Sequence, residues 1–395
     1  MPREELLIYA TKTTRVFSSG LLSILTPIYL ARLGYGSIVV GISVLLMIMG
    51  SVASNLILVK YGSKIKVKRL LMSLSLITIL SGLILVSTSY LVAIFLALFI
   101  GNSISSTGTE AGPYQSSENA LLSKISMDKQ KTYAIYNFLG YGASSLGALS
   151  SSGLSHASVI AMRHMYFVLI ISGTLMFIIY SRLQFPTMPK KKAFSSKFYR
   201  SNALRLSALF SLDAFGGGLI SQSLLAYWFY VRFHANLSQL GVLFSLTSIV
   251  TAISILLTTP IARRIGNLNT MVITHLISNA FLISIAFAPS FLYAVVLLIS
   301  RQTTSQMDVP TRQAFMADLF PPGDLLAANG ITNSARMIST IPGGPIVGLL
   351  LTFGLIAVPI ILAGTSKIIY DTSIYLSYRK YVKNPSENHS GFKDA

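Results

Sequence analysis

The chain contains no cysteine. Disulfides, thiolate metal sites and cysteine nucleophiles are therefore excluded. Acidic residues are scarce as well: 12 Asp and Glu stand against 31 Lys and Arg. Only 11% of residues are charged, against about 25% in soluble domains. The five histidines (His156, His164, His234, His275, His389) are scattered and show no ligand spacing. A phosphate-binding loop is also missing, so ATP is not the driver in this chain. No nucleophile with its base marks an enzyme. Neither a metal nor any other cofactor is expected.

What is present is apolar. Hydrophobic residues make up 52% of the 395, and mean hydropathy is +0.66. Lipid is the solvent such a chain suits. A spanning helix needs about 20 mostly apolar residues. Such stretches follow one another at 6–31, 37–59, 68–87, 90–112, 132–153, 159–181, 203–231, 237–258, 268–288, 291–312, 326–352 and 355–377. The expected fold class is an all-α integral membrane protein of about twelve transmembrane helices. Lys12 and Arg15 interrupt the first stretch, which reads as a retained span and not as a removed signal peptide.

A formal net charge of +19 would point to nucleic acid in a soluble chain. Here most basic residues sit in short connections, which fits an anionic lipid surface. Lys60, Lys64, Lys66, Lys68 and Arg69 share one loop, and Lys190, Lys191, Lys192, Lys197 and Arg200 share the long middle one. Only Arg32, Arg163 and Arg232 fall in connections on the opposite side. The positive-inside rule then places both termini in the cytoplasm of a multi-pass cell-membrane protein.

The two halves of the chain repeat one another. Phe17-Ser18-Ser19-Gly20-Leu21-Leu22-Ser23 aligns with Phe215-Gly216-Gly217-Gly218-Leu219-Ile220-Ser221. Arg32 and Gly41 match Arg232 and Gly241, and Lys60-Tyr61-Gly62 matches Arg264-Ile265-Gly266. Pro113, Asn137 and Gly147 match Pro310, Asn333 and Gly343. The reading is a six-helix bundle over 1–181, a basic cytoplasmic linker over 182–202, a second bundle over 203–378 and a polar tail over 379–395. The two bundles are pseudo-symmetric.

With two parallel six-helix halves, the chain resembles the major facilitator superfamily of secondary transporters over essentially its whole length. That resemblance implies alternating access, with a substrate site near the midplane between halves. The family's loop after its second helix usually carries a Gly, basic residues and an Asp. Lys60, Gly62 and Lys64 keep that pattern, with Val59 at the Asp position; Arg263, Arg264 and Gly266 stand in the second half. The Arg that family members often carry on the fourth helix is absent from Gly101-Asn102-Ser103-Ile104-Ser105. The Gly-Pro stretch often found on the fifth helix sits on the eleventh instead, as Pro342, Gly343, Gly344 and Pro345, a candidate hinge.

Charges inside the spans mark the candidate site, because each costs about 2.5–3.5 kcal/mol at the bilayer centre. Acids within spans are expected at Glu110, Asp213, Asp308 and Asp371. Asp213, Glu110 and Asp308 are the candidates for proton coupling. Arg15 and Asp213 occupy repeat-equivalent depths and are expected to meet. Arg301 and Arg336, without equally deep acids in their own spans, favour an anionic or carboxylate-bearing substrate. Arg15, Tyr136, Asn137 and Asn333 are further cavity candidates. Lys367 with Asp371, and Asp308 with Arg312, are expected as structural i,i+4 pairs. Tyr227, Trp228 and Tyr230 read as an interfacial belt.

The expected function is proton-coupled movement of a small organic solute, with passive uniport still open and an embedded enzyme or receptor as rivals. A small-molecule substrate and membrane lipid are the expected partners, nucleic acid is not, and the expected assembly is a monomer.

Overall fold

Helix forms wherever the apolar runs lie, because a backbone in lipid must satisfy its own hydrogen bonds. The computed structural model describes residues 3–61, 66–101, 105–107, 112–126, 129–184 and 194–383, and among these there is no strand. The first half holds α1 (Arg3–Arg32), α2 (Ser37–Tyr61), α3 (Val67–Ser87), α4 (Leu91–Ile100), α5 (Pro113–Ile125), α6 (Lys129–Ser150), α7 (Val159–His164) and α8 (Phe167–Arg182). The second holds α9 (Lys197–Leu219), α10 (Gln222–Phe233), α11 (Leu237–Ile265), α12 (Asn267–Ala286), α13 (Phe291–Gln302), α14 (Asp308–Leu319), α15 (Pro322–Ser339), α16 (Gly343–Thr352) and α17 (Val358–Lys383).

Four expected spans are each built from two helices, α7/α8, α9/α10, α13/α14 and α15/α16, whereas the expected span 90–112 holds α4 and is followed by a separate helix, α5. Proline explains two of the breaks, since it lacks an N–H and starts helices better than it continues them. Pro113 opens α5 and Pro342 immediately precedes α16. The expected hinge at Pro342–Pro345 thus falls at an interruption of the eleventh span.

Among the described residues, six stretches are long and apolar enough to cross a membrane on composition alone: Ser37–Leu58, Val67–Ser87, Val159–Arg182, Leu237–Ile265, Asn267–Ala286 and Ala327–Thr352. The pair α9/α10, bent by 41°, adds a seventh. α1, α5, α14 and α17 carry most of the ionisable side chains described below. Lipid-facing surface is supplied by exposed Leu76, Leu80 and Leu83 on α3 and by Ile253, Leu256 and Leu257 on α11.

By contact the chain forms two compact units. The first comprises Met1–Lys190, Gly218–Ala252 and Ile341–Pro359; the second comprises Lys191–Gly217, Ile253–Thr340 and Ile360–Ala395. The first unit thus holds the opening six spans together with α10, the start of α11, and α16.

Within the first unit the packing of α2 on α16 is backbone to backbone. A Cβ built on Gly41 would lie 2.3 Å from the Gly344 carbonyl oxygen, and one on Gly344 would lie 2.3 Å from that of Gly41. Only glycine permits that approach. The repeat-related contact is α6 on α11, where Gly241 faces the carbonyl of Ala148 and Ser145 Oγ lies 2.8 Å from Ser245 Oγ. Tyr227 and Ser37 hydroxyls meet at 3.0 Å, and Gln222 donates to Ser23 at 3.0 Å. The belt expectation fails here. Trp228 is buried and donates its indole N–H to the Ile356 carbonyl at 2.7 Å. Tyr227 is buried as well. Both rings fill interhelical space because their polar tips find partners inside the protein.

This contact is directly testable in a chain with no cysteine of its own. The double variant Ser145→Cys/Ser245→Cys should form a disulfide on mild oxidation, seen as an intramolecular cross-link by mass spectrometry of the digested protein. A third substitution, Gly41→Leu, should cut the cross-linking yield, because α2 and α16 can no longer close. An unlinked double variant would contradict the described packing.

Candidate functional site

Two buried charge clusters stand out, one in each unit. The first is built on Glu118. Residues Tyr114, Ser117, Glu118, Leu121 and Leu122 lie on one face of α5 at helical spacing and are all buried. That face turns toward α1, where Arg15 is fully buried. Arg15 forms a two-pronged ion pair with Glu118, Nη2 to Oε2 at 2.8 Å and Nη1 to Oε1 at 3.0 Å. Thr11 donates to Oε1 at 2.6 Å, Tyr180 to Oε1 at 2.7 Å and Tyr136 to Oε2 at 2.7 Å. The guanidinium also lies over the Tyr114 ring, 4.9 Å from its centroid. A carboxylate has about four lone-pair sites, so this one is saturated. It has no room for a ligand and acts as a brace between α1, α5, α6 and α8.

Two expectations are corrected by this arrangement. Arg15 does not meet Asp213; its carboxylate partner is Glu118. Buried acids are also not confined to the four expected positions, because α5 buries Glu118 against α1. Tyr136 is a buried member of the brace and lines no open cavity. The helical spacing of Tyr114, Glu118 and Leu122 was the available signal, masked by the polar composition of Pro113–Ile125.

The second cluster is built on Asp213 of α9. Its Oδ1 accepts from Lys367 Nζ of α17 at 2.6 Å and faces His275 Nε2 of α12 at 3.6 Å. Its Oδ2 faces Arg312 Nη1 of α14 at 3.5 Å and Arg336 Nη2 of α15 at 3.6 Å. Arg312 makes its shorter bond to Asp308, at 2.8 Å, as the i,i+4 expectation required. Lys367 and Asp371, by contrast, do not form the expected ion pair. Lys367 reaches across to Asp213, while Asp371 takes His275 Nδ1 at 2.7 Å and Asn279 Nδ2 at 2.9 Å. The substituents at i and i+4 on α17 thus serve two different neighbours.

Asp213 differs from Glu118 in kind. One short bond and three longer approaches hold it, so its partners compete. The Nε atoms of Arg301 and Arg336 have no hydrogen-bond partner among the described residues. Arg301 is 7% exposed and donates only a 3.2 Å bond to Gln302 Oε1. The Arg336 side chain is 29% exposed, while that of Asp213 is 5%. It is the opening of an otherwise closed cluster. His275, with Asn279 four residues on, went unnoticed in the sequence because a lone histidine on an apolar helix carries no motif.

The remaining candidates are dispersed. Asn137 and Asn333 are exposed. Lys60 belongs to the last turn of α2, whereas Gly62, Lys64 and Glu110 lie outside the described residues. Arg263 and Arg264 are exposed at the end of α11, and Gly266, at φ +86°, turns the chain into α12. That positive φ strains any other residue. Gly343 and Gly344 are buried at the close contacts already described.

The family model described as Major Facilitator Superfamily matches residues 8–343 and 206–391. The chain belongs to the major facilitator superfamily. Solved members share the fold at low identity. The nucleoside transporter NupG aligns with TM-score 0.71 at 13% identity over 96% of this chain and 100% of its own. The POT family transporter PepTSo aligns with TM-score 0.75 at 13% identity over 97% of this chain and 99% of its own, and a POT family peptide transporter aligns with TM-score 0.72 at 12% identity over 96% and 97%. A bacterial homologue of the human lysosomal transporter Spinster gives 0.68 at 11% identity over 96% and 97%. Among curated proteins, the uncharacterized membrane protein YJR124C of Saccharomyces cerevisiae is 23% identical over 98% of this chain and 97% of its own. This superfamily member is therefore a multi-pass membrane protein of the transporter class.

The brace makes a clear thermodynamic prediction. Removing one partner of a buried ion pair costs about 3–5 kcal/mol, much of it from the charge left behind. Glu118→Ala should lower the melting temperature of the purified protein strongly, and the double variant Arg15→Gln/Glu118→Gln should recover most of the loss. Equal melting of all three proteins would show that the pair braces nothing.

Proposed function

We propose that this protein is a secondary active transporter that moves a small anionic organic solute by alternating access, driven by protons. The reading rests chiefly on the Asp213 cluster: an incompletely satisfied carboxylate deep in α9, ringed by cations, with one guanidinium partly open. A guanidinium with spare donors binds carboxylate or phosphate through parallel hydrogen bonds. The names of similar structures specify a nucleoside in one case and a peptide in another, so the shared fold does not choose the cargo. The excess of cations over acids around Asp213 is what favours an anion.

The same reading places the protein in the cell membrane as a monomer, with the Lys-rich loops and both termini in the cytoplasm. It takes the repeat halves 1–181 and 203–378 as the moving parts. Close α2–α16 and α6–α11 contacts then seal the external end. One charge crossing 100 mV supplies about 2.3 kcal/mol, enough for roughly fiftyfold accumulation. Asp213, with Asp308 beside it, belongs to the coupling machinery.

Flux into proteoliposomes under an imposed pH gradient, screened over organic anions and cationic drugs, tests the proposal. An anion should accumulate several-fold more with the gradient than without it. Asp213→Asn should remove the gradient dependence, and Arg336→Ala should cut anion flux at least tenfold. Flux that ignores the gradient, or that Asp213→Asn leaves unchanged, would refute proton coupling. Equal anion and cation flux in Arg336→Ala and the parent would refute the anion preference.

A further inference from the structure

His275 is a buried imidazole with a carboxylate at each ring nitrogen. Asp371 Oδ1 lies 2.7 Å from Nδ1, and Asp213 Oδ1 lies 3.6 Å from Nε2. Asn279, one turn along α12, donates to the other Asp371 oxygen at 2.9 Å. The Tyr370 ring stands edge-on to the imidazole, with centroids 6.0 Å apart. In the neutral ring, the 2.7 Å contact with Asp371 favours the tautomer with its hydrogen on Nδ1. The Nε2 lone pair then points toward a carboxylate oxygen that it cannot bond.

From this geometry we infer that His275 is the residue that takes up and releases the coupling proton, and that Asp213 passes its charge state on to Arg336. The inference rests on the proton-driven reading given above and deepens it. The proton adds to Nε2, forming one N–H bond; hydronium is the donor and leaves as water. Release is the reverse, and nothing is oxidised or reduced. The new N–H faces Asp213 Oδ1, the atom that Lys367 holds at 2.6 Å. Imidazolium and ammonium therefore compete for a single oxygen.

The charged groups facing this site from the neighbouring helices set the sign of the coupling. α9 contributes Asp213, and α17 contributes Asp371 and Lys367. From α14 come Asp308 and Arg312, from α15 Arg336, and Arg301 of α13 lies within electrostatic reach of Asp213 and Asp308. Permanent cations already outnumber the acids by one. A proton on His275 raises that excess and draws Asp213 away from Arg336, freeing the partly exposed guanidinium for an anion. By linkage, a bound anion raises the proton affinity of His275 to the same degree. Proton and anion therefore travel in the same direction.

The test needs no knowledge of the cargo. Nitrogen NMR of the full-length protein labelled at histidine, in lipid nanodiscs, reads protonation of each imidazole directly. His275→Gln identifies the resonance. If that variant does not fold, a protein lacking the other four histidines identifies it instead. The Nε2 signal of His275 should convert from lone pair to N–H on acidification. The midpoint should fall in Asp213→Asn, where an anion is lost, and rise in Arg336→Ala, where a cation is lost. An Nε2 signal that keeps one form throughout, or a proton that settles on Asp371 and leaves the ring unchanged, overturns the assignment. In flux measurements, gradient-driven uptake that survives in His275→Gln overturns it as well. A titrating His275 in a protein that moves no solute would refute the transport reading alone.

Discussion

A carboxylate in a low-dielectric interior must be neutralised by groups within a few ångströms, or it will not stay ionised. Both units meet this constraint, and they meet it in opposite ways. Glu118 has every acceptor site filled by donors at hydrogen-bond distance from three other helices, so nothing can be added without breaking something. Asp213 has one such donor, with two guanidinium groups and an imidazole farther off. Its environment can be redistributed at small cost, because moving any one cation leaves the others in place. A saturated pair is a brace, and a shared carboxylate has partners that can be exchanged. The same physical demand produces both, and the number of short bonds separates them.

The polarity of the two clusters is also inverted along the repeat. The first span offers a cation, Arg15, to an acid on α5. The seventh span offers an acid, Asp213, to cations on the tenth, eleventh and twelfth. Arg15 and Asp213 hold matching positions with opposite charges, and each unit satisfies its own buried ions. This removes the need for Arg15 and Asp213 to neutralise each other, which their equivalent depths had suggested.

Much of this was legible in the residues. Hydropathy marked the apolar helices, and ordered matches such as Gly41 with Gly241 pointed to two related halves. The depth of Asp213, Arg301 and Arg336 was legible too. Partners were not. Spacing along one helix says which face a residue shares, and it correctly joined Asp308 to Arg312. It misjoined Lys367 to Asp371, because both point into a core where acids and cations from other helices lie closer. Glu118 was missed because a polar helix after a proline break looks like a loop until α1 supplies the cation it faces. His275 was missed for a related reason. Its significance comes from carboxylates 62 residues before it and 96 residues after it in the chain.

The contacts that hold the clusters and those that close α2 on α16 and α6 on α11 differ in strength, and the difference orders the motions available to the protein. Breaking the Arg15–Glu118 pair strands a charge in the interior at a cost of about 3–5 kcal/mol. Parting Gly41 from Gly344 loses dispersion between two short backbone segments, with each carbon pair worth about 0.1–0.2 kcal/mol. Parting Ser145 from Ser245 loses a neutral hydrogen bond of about 1 kcal/mol net, which water can replace. Smooth glycine surfaces and hydroxyl pairs therefore separate well before either charge cluster does. A rearrangement that opens those seams while leaving the Glu118 brace whole costs less than one that breaks the brace.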